Sequence, residues 1–194
     1  MAPVVLFDVL GTLVHDPFPD AAAEVLGLAP HEIRTSLDYA ALLDFEEGRM
    51  AEAACLERLF VDRRRVDGAA LTSFLRKSYR WLPGMEALLA ELHEHGIVMH
   101  ALSDYSEWYR MIDERLTLSR YLPWTFVSCR TGICKPDPQA FAGAARALGI
   151  AVEDCLVVDD KLRNCAVARE LGMQAIRFES AAALRVELEA RALL

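Results

Sequence analysis

Val4-Val5-Leu6-Phe7-Asp8-Val9-Leu10-Gly11-Thr12 is a short apolar run that meets a carboxylate and then turns on a glycine. A run that is apolar at every position suits a strand buried on both faces, because alternation disappears when neither face meets water. Three further stretches share the design: Ile97 to Leu102 before Ser103, Trp124 to Val127 before the loop holding Lys135, and Cys155 to Val158 before Asp159. Between them the period changes. Met85, Leu88, Leu89 and Leu92, and again Phe141, Ala144, Ala145 and Leu148, fall at i, i+3, i+4 and i+7, one face of a helix. Gly96 and Gly149 stand where each helix should stop, and Gly172 follows a third candidate helix from about Leu162. Strands alternating with helices predict an α/β fold, a doubly wound parallel sheet with helices on both faces.

The alternation has one gap, from about Asp16 to Leu82, where helical stretches such as Leu37 to Leu43 and Met50 to Phe60 are broken near Gly48 and Gly68. We therefore expect a core formed by residues 1–15 and 83–194, with a small helical cap, 16–82, inserted after the first strand.

Composition narrows the function classes. The 194 residues are 54% hydrophobic and 26% charged, which excludes a disordered chain and a repetitive fibre. A net charge of −8 argues against nucleic-acid and anionic-membrane partners. No apolar run approaches the roughly 18 residues of a membrane span, and Met1 to Pro3 lead into the first strand without a charged leader, so the expectation is a cytoplasmic protein. Five cysteines are an odd number and predict free thiols. Cys129 and Cys134 lie close in sequence, but no second pair at zinc spacing accompanies them.

In open parallel sheets ligands bind beyond the carboxyl ends of the strands. That rule gathers Asp8, Ser103, Lys135, Asp159 and Asp160 at one crevice. Singly each has an ordinary reading, as a turn cap, a helix start or a solvated charge; together they all follow strands of one sheet. An Asp carboxylate can attack phosphorus and split one difficult displacement into two easier ones. Its charge must be offset, and Asp8, Asp160 and Asp159 offer hard oxygens for Mg2+. Lys135 adds positive charge and Ser103 a hydroxyl for a phosphate oxygen. Pro136 extends the chain at Lys135, while Asp137 and Pro138 suit the start of a following helix.

In this order and strand context, Asp8-Val9-Leu10-Gly11-Thr12, Leu102-Ser103-Asp104, Lys135-Pro136-Asp137-Pro138 and Val158-Asp159-Asp160 with Asn164 resemble the four motifs of the haloacid dehalogenase-like hydrolase superfamily. Phe45-Glu46-Glu47-Gly48 resembles a cap signature of one phosphatase branch. Leu13 to Phe18, Trp108-Tyr109 and Leu118 to Trp124 are similar to the plant-type flavin mononucleotide hydrolases. The resemblance implies a Rossmann-type core and a Mg2+-dependent phosphatase of a small phosphorylated metabolite, flavin mononucleotide being the first to try. It also implies an aspartyl-phosphate on Asp8. It places Gly11, Thr12, Ser103, Asp104 and Lys135 on the substrate side, and the Leu10 carbonyl with Asp8, Asp159 and Asp160 at the metal.

The sequence departs from the pattern at Leu10, where most phosphatases of this kind carry a second Asp that protonates the leaving group and then activates water. Such acid–base help is worth about 10²- to 10⁴-fold. Two rivals follow: a 2-haloacid dehalogenase, which needs no second Asp but lacks the acidic pair found here, and a catalytically weak phosphate-binding or regulatory protein. His15 is a candidate replacement acid. Tyr105, Trp108 and Tyr109 are candidates to stack on a flat ring, and Phe45 and Glu47 to line the substrate side of the cap.

Overall fold

The computed structural model describes residues 2–194. The chain begins with β1 (Val4–Phe7) and then leaves the sheet for α1 (Phe18–Glu24), α2 (Pro30–Ser36), α3 (Tyr39–Glu46), α4 (Glu52–Arg58) and α5 (Gly68–Ser78). It returns through α6 (Met85–Glu94), β2 (Met99–Ser103), α7 (Tyr109–Leu116), β3 (Phe126–Val127), α8 (Ser128–Thr131) and α9 (Pro138–Leu148). β4 (Cys155–Asp159), α10 (Leu162–Glu170), β5 (Gln174–Arg177) and α11 (Ala181–Glu189) complete it.

All strands pair in parallel in the order β3-β2-β1-β4-β5, so the sheet is doubly wound and its order reverses beside β1. Side chains alternate across each strand. Leu6, Leu102 and Val157 therefore pack with Phe141 and Ala144 of α9 and Ala168 of α10 on one face. Val5, Phe7 and Val158 pack on the other with Met85 and Leu88 of α6, Ile112 of α7 and Leu184 of α11. That second core runs on into the inserted helices through Phe45, Leu59, Leu71 and Tyr79, so the insertion shares buried surface with the sheet.

The expected strands and helices are present with shifted ends. β2 starts at Met99 rather than Ile97 and takes in Ser103, and Trp124 and Thr125 precede the two-residue β3. Leu37 lies outside α3 because Asp38 caps that helix, its carboxylate accepting the Ala41 N–H. Gly68 opens α5 rather than breaking a helix, because Asp67 accepts the Ala70 N–H. β5 was not expected: Gln174 and Arg177 are exposed on this edge strand, and its mixed polarity hides it.

The insertion leaves and returns along adjacent strands of chain. Val14 bridges Trp81 in antiparallel fashion, and the Leu82 N–H donates to the Leu13 carbonyl and the His15 N–H to the Arg80 carbonyl, at 2.9 Å each. Among the described residues no helix is long and apolar enough to cross a membrane.

Candidate active site

The end of β1 sets the site. The Asp8 N–H donates to the Val158 carbonyl at 2.9 Å, which keeps the chain in the ladder up to the residue whose carboxylate passes beyond it. The chain then turns sharply: Gly11 has φ +85°, and a Cβ there would stand 3.1 Å from Asp160 Oδ2. Only glycine allows this loop to sit so close to the Asp160 carboxylate. Thr12 is fully buried, its hydroxyl donating to Asp8 Oδ2 and accepting from the Asp160 N–H, both at 3.2 Å, and its N–H donates to the Val9 carbonyl. The expectation that Thr12 contacts substrate is therefore corrected: it ties the first acidic loop to the last. Gly11 does line the cavity described below.

Lys135 uses all three ammonium hydrogens, on Asp8 Oδ1 at 2.8 Å, Asp159 Oδ2 at 2.7 Å and the Leu102 carbonyl at 2.8 Å. Its backbone N–H donates to Asp104 Oδ1 at 2.8 Å. Burial alone would lower its pKa, but Asp8, Asp104 and Asp159 together raise it above the ordinary lysine range, so it stays an ammonium. Asp159 is fully buried and saturated. Oδ1 accepts from the Lys161 N–H at 2.8 Å and Asn164 Nδ2 at 3.0 Å, and Oδ2 accepts from Lys135 and from the same amide at 2.9 Å.

Asp160 is different. Its Oδ1 is buried with no hydrogen-bond partner, and its pKa is raised by burial and then by the nearby Asp8. Ligand atoms from Asp8, Asp159 and Asp160 lie within 4.8 Å of one another, the one such acidic group among the described residues. An orphaned carboxylate oxygen in an all-oxygen cluster fits a hard divalent cation such as Mg2+. The Leu10 carbonyl, beside this group, accepts no hydrogen bond among the described residues.

Above the carboxylates lies a cavity of about 690 Å³, within the range of small-molecule sites. Asp8, Leu10, Asp104 and Asp160 line its floor; Ile33, Tyr39, Leu42 and Phe45 of the insertion face them. Phe45 meets Trp108 edge to face with ring centroids 5.1 Å apart, and Trp108 Nε1 donates to Glu52 at 2.5 Å. Tyr105 and Trp108, both largely buried, border the cavity, whereas Tyr109 borders a separate hollow with Cys129 and packs on Trp124. Ser103 closes β2 and is buried; it borders a smaller cavity with Asp104, Thr125 and Gln139 and is not part of the lining above Asp8. His15 is taken by Asp20 at 2.7 Å and does not reach the cavity. Glu47 pairs with Arg49 and does not line it either.

Four charged side chains that the sequence reading did not select do line it: Asp16, Glu46, Lys161 and Arg163. Glu46 belongs to the quoted Phe45 to Gly48 signature, so a signal was there. Burial pushes its carboxyl up to about 7, with Asp104 adding to the shift. Burial also raises Asp16, and raises Asp104 to about 6 against the opposing pull of Lys135. All five cysteines are free, and none belongs to a metal-ready group among the described residues.

A family model of haloacid dehalogenase-like hydrolases matches residues 2–172. The chain belongs to this family. The hydrolase is 35% identical over 186 residues to the chloroplastic flavin mononucleotide hydrolase 1 of Arabidopsis thaliana, which spans 96% of this chain and 76% of that one. It is 28% identical over 117 residues to a glyceraldehyde 3-phosphate phosphatase of Methanopyrus kandleri, 57% of this chain and 49% of that one. Among solved structures, a family member from Bacteroides thetaiotaomicron in complex with magnesium and inorganic phosphate aligns with a TM-score of 0.75 at 18% identity, covering 93% and 96% of the two chains. The L-2-haloacid dehalogenase of Xanthobacter autotrophicus aligns with a TM-score of 0.66 at 20% identity, covering 98% and 83%. At these identities the structural likeness establishes the shared fold of the hydrolase and its neighbours.

Proposed function

We propose that the hydrolase is a Mg2+-dependent phosphomonoesterase that works through an aspartyl-phosphate on Asp8. The observation that carries this reading is the Asp8, Asp159 and Asp160 cluster, in which Lys135 ties Asp8 to Asp159 while Asp8 and Asp160 line the cavity. Asp8 and Asp160, with the Leu10 carbonyl, would hold the cation, and Asp159 would orient Lys135 and Asn164 behind them. Bound Mg2+ offsets the repulsion between a carboxylate nucleophile and a phosphate anion.

The protein's own groups do the rest. Thr12 holds the second Asp8 oxygen, which aims the first along its bond to Lys135. Lys135 supplies a fixed positive charge where negative charge spreads in the transition state. Asp104 anchors the lysine backbone. The apolar and aromatic roof, with Phe45, Trp108, Tyr39 and Ile33, suits a flat ring better than a three-carbon sugar, and Lys161 and Arg163 offer cations for the remainder of an anionic substrate. Flavin mononucleotide is accordingly the first substrate to test, and the likeness to the Arabidopsis hydrolase supports that choice.

The test is phosphate release from flavin mononucleotide and other small phosphomonoesters, with and without Mg2+, by wild type and Asp8→Asn. Release that needs both Mg2+ and Asp8 is expected. Release without Mg2+, or surviving Asp8→Asn, overturns the mechanism, and chloride release from 2-chloropropionate without phosphatase activity selects a dehalogenase.

A further inference from the structure

Leu10 leaves the site without the carboxylate that would protonate a leaving group, and the structure offers a group from the opposite wall. Glu46 is the last residue of α3 and lines the cavity that also contains Asp8 and Leu10. Its main chain is fixed to the core. Ser128 Oγ donates to the Glu46 carbonyl at 2.6 Å, and two residues on, Gly48 lies so close to the core that a Cβ would be 2.2 Å from the Cys129 carbonyl oxygen. The neighbouring acids are occupied: Asp44 and Glu47 both pair with Arg49. No hydrogen bond or ion pair among the described residues engages the Glu46 carboxyl.

We propose that Glu46 is the acid–base catalyst of this hydrolase, taking the role that Leu10 cannot fill. The proposal rests on the phosphomonoesterase reading. In the first step an Asp8 oxygen bonds to phosphorus, the bond from phosphorus to the leaving oxygen breaks, and that oxygen takes the Glu46 proton. In the second, a water oxygen bonds to phosphorus and its proton returns to Glu46. The bond between phosphorus and Asp8 breaks, which releases phosphate and restores both carboxyl groups.

The surroundings suit a group that must hold and lose a proton near neutrality. Burial raises its pKa most, the nearby negative charges of Asp104, Asp16 and Glu47 add to the rise, and Lys161 opposes it; its other titratable neighbours, Cys55, Cys134 and Tyr105, are neutral near pH 7. The competing carboxyls are committed. Asp16 accepts the Phe18 N–H that starts α1, and Asp104 accepts the Lys135 N–H.

The experiment compares flavin mononucleotide, whose alkoxide leaving group needs a proton, with p-nitrophenyl phosphate, whose phenolate does not. For Glu46→Gln we expect kcat/KM on flavin mononucleotide to fall about 10²- to 10⁴-fold. On p-nitrophenyl phosphate we expect a burst of nitrophenolate stoichiometric with enzyme, then slow turnover, because the second step lacks its base. Leu10→Asp added to Glu46→Gln should restore part of that turnover. In the wild type, kcat/KM should decline above about pH 7 for flavin mononucleotide but not for p-nitrophenyl phosphate, a reading that needs no variant. Equal loss on both substrates, no loss on either, or identical wild-type pH profiles overturns the proposal. A wild type that releases phosphate from neither substrate instead overturns the phosphomonoesterase reading itself.

Discussion

Replacing Lys135 with methionine keeps most of the side-chain volume and removes only the ammonium, so the consequence can be worked from the contacts. That ammonium fills three acceptors at 2.7 to 2.8 Å, and its side chain is 1% exposed. Without it, Asp8 and Asp159 face each other with Asp160 alongside, and the Leu102 carbonyl loses its donor. Removing one partner of a buried ion pair costs about 3–5 kcal/mol, because the charge left behind cannot return to water. In a chain of this size that is roughly 6–20 °C in Tm. The raised folded-state pKa of Lys135 means that its contribution is complete below the ordinary lysine value of about 10.4 and is lost only as pH rises through the higher folded value. The deficit of Lys135→Met should therefore be constant from pH 7 to 9. Urea unfolding of both proteins across that range provides the assay. A deficit below about 1 kcal/mol at pH 7, or one that varies between pH 7 and 9, would show that the clamp does not hold the carboxylates together.

Three further outcomes follow from specific contacts. Gly48→Ala meets both a φ of +70° and the Cys129 carbonyl, so we expect a loss of roughly 2–4 kcal/mol in urea unfolding; a change within 0.5 kcal/mol would mean that α3 is not pinned to the core there. Asn164→Ala removes both amide hydrogen bonds to Asp159 and should cost about 1.5–3 kcal/mol, again by urea unfolding, whereas a neutral result would assign the orientation of Asp159 to Lys135 and Lys161 alone. Asp160→Asn removes a carboxylate that has an unpartnered oxygen beside Asp8. Its Tm without metal should equal or exceed that of wild type, and the rise in Tm that Mg2+ gives the wild type should vanish; an undiminished response to Mg2+ would refute Asp160 as a ligand.

The parallel sheet was legible because its central strands carry no alternation to misread: Val4 to Phe7 and Cys155 to Val158 are apolar throughout and buried on both faces. β5 was not, since an edge strand with Gln174 and Arg177 in water lacks that signature. At the candidate site, Asp8, Asp159 and Asp160 were legible because each lies at or just beyond a strand end, a position that topology alone converts into proximity, whereas Lys135 follows β3 only after α8 and was legible from its Lys-Pro-Asp-Pro loop. Thr12 was misjudged because no sequence rule tells a hydroxyl that meets substrate from one consumed between two loops. Glu46 and Lys161 were missed for a different reason. Which of Asp44, Glu46 and Glu47 faces the cavity depends on how α3 is rotated against the sheet, and that rotation is fixed by Phe45 against Trp108 and by the approach of Gly48 to Cys129.

Charge links the chain to its chemistry in a way that composition concealed. The net charge of −8 suggests a protein that repels anions, yet the strand ends concentrate Asp8, Asp104, Asp159 and Asp160 around a single buried ammonium. With more carboxylates than cations, this floor repels a phosphate on its own, and Lys161 and Arg163 in the same cavity do not outweigh it. On the proposed mechanism a divalent cation would reverse the balance beside the orphaned Asp160 oxygen. If the same carboxylates attract the cation and reject the phosphate, binding of the two ligands would be positively coupled, each raising affinity for the other by the same factor. On the proposed mechanism, the acidic excess at the site would be the means by which the hydrolase admits an anion only together with a divalent cation.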